Sequence, residues 1–288
     1  MDAKFAASRS REVLRHPGRE LSPRYSLAGC RAKPVRFDLQ PGQSLLDAIT
    51  AEMERLGGDA AVLQLDGIAL EDMHYVIPAG ARDDSHAAWY SETYTCEAAQ
   101  LQHATAMVGR KDGQWFVHCH AVWPAGGQGV LMGHLLNDQC RVTAPFAARG
   151  HVLTGALLEV ALDPETNFPL FHVRRPAEVA GANGALLTIR PHEDLRGTIE
   201  RACAELGIGD ARLIGLGSLI GAEFRDAGPM LSPISEVLLL DGARVRAGRC
   251  AALPLICVDP QQATFQGDLN AGAGPVCVTF EMLILAES

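Results

Sequence analysis

Three histidines stand where side chains able to do chemistry recur at a spacing with physical meaning. His118 and His120 lie in Trp115-Phe-Val-His-Cys-His-Ala-Val-Trp123, and His134 lies in Met132-Gly-His-Leu135. The apolar run 115–122 predicts a strand. Side chains alternate along a strand with period two, so His118 and His120 share one face and Cys119 takes the other. Thirteen residues separate His120 from His134, and Pro124, Gly126, Gly127 and Gly129 among them predict a tight return that sets the third imidazole beside the first two. Three neutral imidazoles with an open fourth position suit a catalytic zinc ion, although nickel, copper and iron also accept imidazole. A structural zinc takes four protein ligands, and no fourth is evident nearby, which favours catalysis or ligand binding.

Such chemistry needs a group that handles a proton and groups that hold the substrate. Glu97, with Glu92 close by, precedes the histidine strand, and His74 and Tyr75 precede Val76-Ile-Pro78. Residues 79–95 form a polar stretch with Arg82, His86, Trp89 and Tyr90, long enough to be a lid or a wall. Glu97 or His74 is expected to move the proton. Arg82 and Tyr75 are expected to contact substrate. Arg82, or an arginine of the N-terminal segment, would hold an anionic group, since a guanidinium suits a carboxylate. His103 is a further, weaker candidate ligand.

The elements that must position these residues come in two copies. Val35, Phe37 and Leu39 alternate as a strand, Pro41-Gly42 turns, and Ser44 caps a predicted helix over 45–56 with Leu45, Leu46, Ile49 and Met53 on one face. Gly57-Gly58 ends it, and Ala60–Leu65 is the next strand. Residues 185–221 repeat the scheme, with Pro191, Leu195 and Ile199 matching Pro41, Leu45 and Ile49 at an offset of 150. Gly133-His134-Leu135 is echoed by Gly267-Asp268-Leu269, and Leu157-Leu-Glu-Val160 by Thr279-Phe-Glu-Met282. Further strands are expected at 103–108, 151–162, 236–240, 253–258 and 275–285. One early helix followed by a run of strands implies an α+β class with a largely antiparallel sheet in each copy. The expected organisation is a basic arm (1–33), a first domain (34–165), a linker (166–184) and a second domain (185–288) without the histidines.

The chain has 288 residues and a net charge of −9. Residues 1–36 carry nine Lys/Arg against three Asp/Glu, a balance of +6, which leaves −15 on the rest. An acidic body lacks the basic footprint of wide nucleic-acid contact, while the arm keeps DNA open as a partner. Eight single cysteines without a Cys-x-x-Cys pair favour free thiols in a reducing cytoplasm. No apolar run reaches membrane length, and the polar, Arg-rich N-terminus, without an apolar core, is not expected to be a secretory signal.

The Pro-turn and amphipathic helix, Leu213-Ile-Gly-Leu-Gly217, and His118-Cys-His120 followed by Met132-Gly-His-Leu135 together resemble the PPC (plants and prokaryotes conserved) domain. Met132 replaces the first Gly of that signature. The resemblance covers 35–162 through the signature, and 185–285 through the strand–helix–strand opening and the Gly-x-Leu. It implies a twisted antiparallel sheet flanked by helices, a trimeric arrangement of domains, and one zinc per chain on His118, His120 and His134. The expected function is a zinc-dependent hydrolase, lyase or isomerase acting on a small carboxylated or carbonyl-containing molecule. The alternatives are a DNA-binding or regulatory protein, as the plant relatives suggest although no Arg-Gly-Arg-Pro core is present, and a metal-dependent binder without turnover.

Overall fold

The computed structural model describes residues 9–127, 129–176 and 179–287. Helix α1 (Leu45–Leu56) starts where Ser44 Oγ accepts from Asp47 N at 3.0 Å, and it stops at Gly57, whose φ of 70° favours glycine. Its buried residues Leu45, Ala48, Ile49 and Met53 repeat at helical spacing and face one sheet. Helix α2 (Leu195–Leu206) is built in the same way, with Asp194 Oδ1 accepting from Gly197 N at 2.8 Å and Gly207 in the left-handed region. Sheet dominates the rest, and nearly all of its pairings are antiparallel.

The ladders run in the same order in both halves. In the first, Tyr25–Leu39 pairs with Phe146–Thr154, then follow Ala60–Gln64, His103–Lys111, Gln114–Pro124 and Val130–Leu135. In the second, Gly184–Ile189 pairs with Val276–Ala286, then follow Ala211–Leu219, Glu236–Leu239, Pro254–Val258 and Thr264–Asp268. His120 lies opposite His134, and at the equivalent rung Pro254 lies opposite Asp268.

Each sheet packs one face on its own helix and the other on the opposite sheet. Val117, Cys119, Ala121 and Trp123 belong to the core around α1, and an equivalent core surrounds α2. A third core joins Val62, Met107, Val122 and Met132 to Leu216, Leu238, Ile256 and Leu283. The two-residue period therefore turns His118 and His120 towards the seam between the halves. An unpaired polar group buried there costs about 1–3 kcal/mol, so the imidazoles need partners across the seam.

Three expectations change. Residues 25–33 are not an arm: Tyr25–Leu39 is one strand, whose first part pairs with Gly184–Ile189 of the second half and whose remainder pairs with Phe146–Thr154 of the first. Residues 9–24 are docked as well, with Leu14 packed on Ala88, Ile234 and Cys277, and Arg24 Nη1 2.8 Å from Glu165. Residues 1–8 lie outside the described residues. The expected linker contains the strand Pro169–Arg174, which pairs with Leu157–Leu162. Finally, the counterpart of Val276–Ala286 is Phe146–Thr154, not 157–160, because Ile189 faces Phe280 as Leu39 faces Phe146. Among the described residues no helix is long and apolar enough to cross a membrane.

Candidate metal centre and its cavity

The hairpin of Gln114–Pro124 and Val130–Leu135 brings the three histidines together. One ligand nitrogen from each of His118, His120 and His134 lies within 4.8 Å of the others. Gly133 is needed for this. A Cβ there would lie 2.7 Å from the Tyr75 ring and 2.9 Å from the Val76 carbonyl, because strand Ala69–Val76 pairs directly with His134.

The partners come from the second half. His118 Nδ1 lies 2.9 Å from Glu281 Oε2. His120 Nδ1 lies 2.9 Å from the Val237 carbonyl, to which only an N–H can donate. His120 Nε2 then carries the lone pair, yet it sits 2.8 Å from Glu236 Oε2 and 3.1 Å from His118 Nε2. A lone pair facing a carboxylate at that distance is repelled unless a proton or a metal ion lies between the two atoms. His134 Nδ1 is buried with no hydrogen-bond partner among the described residues. A divalent ion fits this donor set.

The electrostatics agree. Burial, with the other imidazoles, drives His118 down to about 3 and His134 well below its ordinary value, so both stay neutral, the form that binds metals. Burial also pulls on His120, but Glu236, the Val237 carbonyl and Glu281 together hold it above its usual value. Burial pushes the Glu281 carboxyl up to about 8, against the pull of His120, and a cation on the histidines would draw it back towards the ionised form. A carboxylate holding the far nitrogen of a ligand histidine is the usual outer support of a metal site, and it fixes tautomer and ring orientation.

The cluster opens onto a cavity of about 270 Å³ between the halves, lined by Trp89, Tyr90, Phe116, Phe168 and Phe171 among others. The stretch expected as lid or wall supplies Trp89 and Tyr90 from the short hairpin Pro78–Gly80 with Ala88–Tyr90. Trp89 packs on Phe168 with centroids 5.0 Å apart, and Tyr90 meets His134 at 5.2 Å. Ser218, Ser235 and Thr279 of the second half add hydroxyls to the lining, which contains no Lys or Arg among the described residues.

The other residues singled out in the sequence are not brought to this cavity. Glu97 is exposed on the strand Tyr94–Gln100. His74 Nδ1 lies 2.8 Å from the Asp72 carbonyl and 3.0 Å from that of Gln139. Arg82 is exposed and pairs with Glu92 at 2.9 Å. Tyr75 is buried on the α1 side, 4.7 Å from the Trp123 ring. His103 sits 3.7 Å from Asp66. Sequence reasoning missed Glu236 and Glu281, although a signal existed: each is the lone charge in its mostly apolar strand. A charge there is costly unless something pairs with it.

No protein-family model matches the sequence, and neither does any curated protein. Solved structures do. A metal-containing protein from Archaeoglobus fulgidus is 23% identical, covers 49% of this chain and 93% of its own, and has a TM-score of 0.39. A plant- and prokaryote-conserved (PPC) protein from Pyrococcus horikoshii is 18% identical over 56% of this chain and 99% of its own, with a TM-score of 0.39. The chain has PPC proteins among its structural neighbours. A Ralstonia eutropha protein with a suggested DNA-binding role is 17% identical over 55% of this chain and 100% of its own, with a TM-score of 0.36. Each PPC-like neighbour accounts for about half of the chain.

Proposed function

We propose that this chain is a metal-dependent enzyme of hydrolase or lyase/isomerase type, with zinc the favoured ion and a small carbonyl-containing molecule as substrate. The observation that carries the reading is the convergence of one ligand nitrogen from each of His118, His120 and His134 within 4.8 Å of one another, with Glu236 Oε2 2.8 Å from His120 Nε2, a donor set that suits a divalent ion. His118, His120 and His134 hold the ion. Bound there, it supplies Lewis-acid polarisation of a carbonyl. Glu236 lines the cavity and can hold a proton at Oε2, while Glu281 keeps His118 oriented through Nδ1. Tyr90 also lines the cavity, and burial pushes its hydroxyl well up, so it stays protonated and able to donate to a substrate oxygen.

Metal analysis of the purified protein tests this. One ion per chain is expected, and none after replacing His118 and His120 by Ala. Metal-free native protein sinks the reading. Turnover of a carbonyl substrate that stops with a chelator separates an enzyme from a passive binder.

DNA binding is the second reading. Exposed Arg31, Lys33 and Arg36 follow one another on the strand Tyr25–Leu39, and Arg36 lies directly opposite Arg149, a like-charge pair that an anion would relieve. A gel shift that weakens steeply with salt supports it.

A further inference from the structure

The cavity beside the histidines says what it accepts. Its walls are Trp89, Tyr90, Phe116, Phe168 and Phe171, with Val160 and Ile234 completing the apolar surface. The polar residues of its lining are His118, His134, Glu236, Glu281, Ser218, Ser235 and Thr279, and of these the two glutamates are tied to the histidine cluster. Neither carboxylate is free to meet a charged ligand. Glu281 is committed to His118 Nδ1 at 2.9 Å, and Glu236 to His120 Nε2 at 2.8 Å. An amine entering here therefore finds no unpaired anion. An acid finds no Lys or Arg among the described lining residues, and the two charges of a divalent ion on the histidines would already be balanced by Glu236 and Glu281. Arg82, the cation nearest in sequence to Trp89, is turned outward to Glu92.

Volume sets the scale. About 270 Å³ is the liquid volume of roughly nine waters at ~30 Å³ each, so the ligand has on the order of ten non-hydrogen atoms. The ring pairs Trp89–Phe168 and Tyr90–His134, with centroids 5.0 and 5.2 Å apart, belong to its lining. Flat or branched apolar groups fill such walls best, and the histidine cluster gives a single polar end its direction.

We propose that the ligand of this cavity is an uncharged small molecule with an aromatic or branched apolar body and one neutral oxygen-bearing end, such as an amide, ester or ketone, turned to the histidines. The apolar part of this proposal stands on the cavity walls, and the placing of the polar end rests on the metal reading above. It replaces the anionic substrate that the sequence suggested.

Three probes of matched shape test it on the full chain: phenylacetamide, phenylacetate and 2-phenylethylamine, titrated calorimetrically with one zinc per chain and again after chelation. The amide is expected to bind at least tenfold tighter than either charged analogue when zinc is present, and to keep that order, more weakly, after chelation. Trp89→Ala is expected to weaken the amide about tenfold. Val160→Lys, on a partly exposed wall position, is expected to shift preference towards phenylacetate, which guards against loss of fold as the cause. Thermal melting of each variant accompanies the titrations. Tighter binding of the acid or the amine overturns the proposal, and so does absence of binding by all three. Zinc content of the same samples separates the two readings. Amide preference in a protein that takes no zinc removes the metal and leaves the cavity assignment; a zinc protein that prefers phenylacetate does the reverse.

Discussion

His120 opposite His134 and Pro254 opposite Asp268 occupy the same rung of two equivalent ladders. The first pair faces the seam, where His120 meets Glu236 from the other half. The second is tied into its own half: Asp268 Oδ1 accepts from Leu253 N at 2.7 Å, and Asp268 Oδ2 pairs with Arg225 at 3.2 Å. The strand order survives without imidazoles, so the ladder does not require them. The seam is asymmetric in the complementary sense too. Glu281 follows Phe280, whose counterpart is Phe146, so where the second half places a buried carboxylate the first has Ala147. One half supplies the nitrogens and the other the carboxylates, and the centre exists because the two faces meet.

The largest effect expected from breaking this asymmetry is loss of the ion. Replacing His120, which touches both Glu236 and Val237 across the seam, by Ala should take metal content from one per chain to none, read by elemental analysis. Glu281→Gln should keep the ion but weaken it about 10–100-fold, the range typical for partners of ligand histidines, read by competition with a chromophoric chelator. Equal affinity in Glu281→Gln and the native protein would show that the carboxylate does not support His118.

On the opposite rung, Asp268→Asn should leave metal content unchanged and lower stability by about 1–3 kcal/mol, since a charged acceptor loses strength towards Leu253 N, Arg196 and Arg225. Denaturant melts measure it. Metal loss in Asp268→Asn would mean that the two rungs are not independent.

How much of this was legible follows from what determines each feature. The helices were readable to the residue because their signals are local: Ser44, Gly57, Asp194 and Gly207 act on their own turns. The three histidines were readable because a strand has period two and a Gly-rich return is short. The expected sheet class holds, although helix contributes less than an α+β reading suggests. Glu236 and Glu281 were visible as lone charges, but which face of which sheet they would meet depends on how the halves pack, and no local pattern encodes that. Glu97, His74, Arg82 and Tyr75 were chosen for nearness along the chain. Nearness in space follows the ladder instead, which puts Tyr75 on the α1 face and sends Glu97 to an exposed strand. Residues 25–33 read as an arm because their pairing partner, Gly184–Ile189, is about 150 residues away.

The smallest expected effect concerns how the two halves are held together at the N-terminal segment. His16 Nε2 lies 2.8 Å from the Cys277 carbonyl, and His192 Nδ1 lies 3.0 Å from Ser10 Oγ, so residues 10–16 are pinned to the second half beside the cavity. Burial, then the charges of His16, Arg11 and Arg24, push His192 down to about 3, and burial also lowers His16 in spite of Glu165 and Asp163 nearby. Both histidines are neutral when folded and titrate near 6.5 when unfolded. Below that value the unfolded chain binds more protons than the folded one, so this contribution is complete above about pH 6.5 and is lost progressively towards pH 3. His192→Asn removes one titrating group while suiting the backbone, because His192 has a φ of 68°, a region that Asn tolerates. Between pH 7 and 5 the melting temperature of the native protein should therefore fall more than that of His192→Asn. Equal slopes would show that the pinned segment is not where acid loosens the seam.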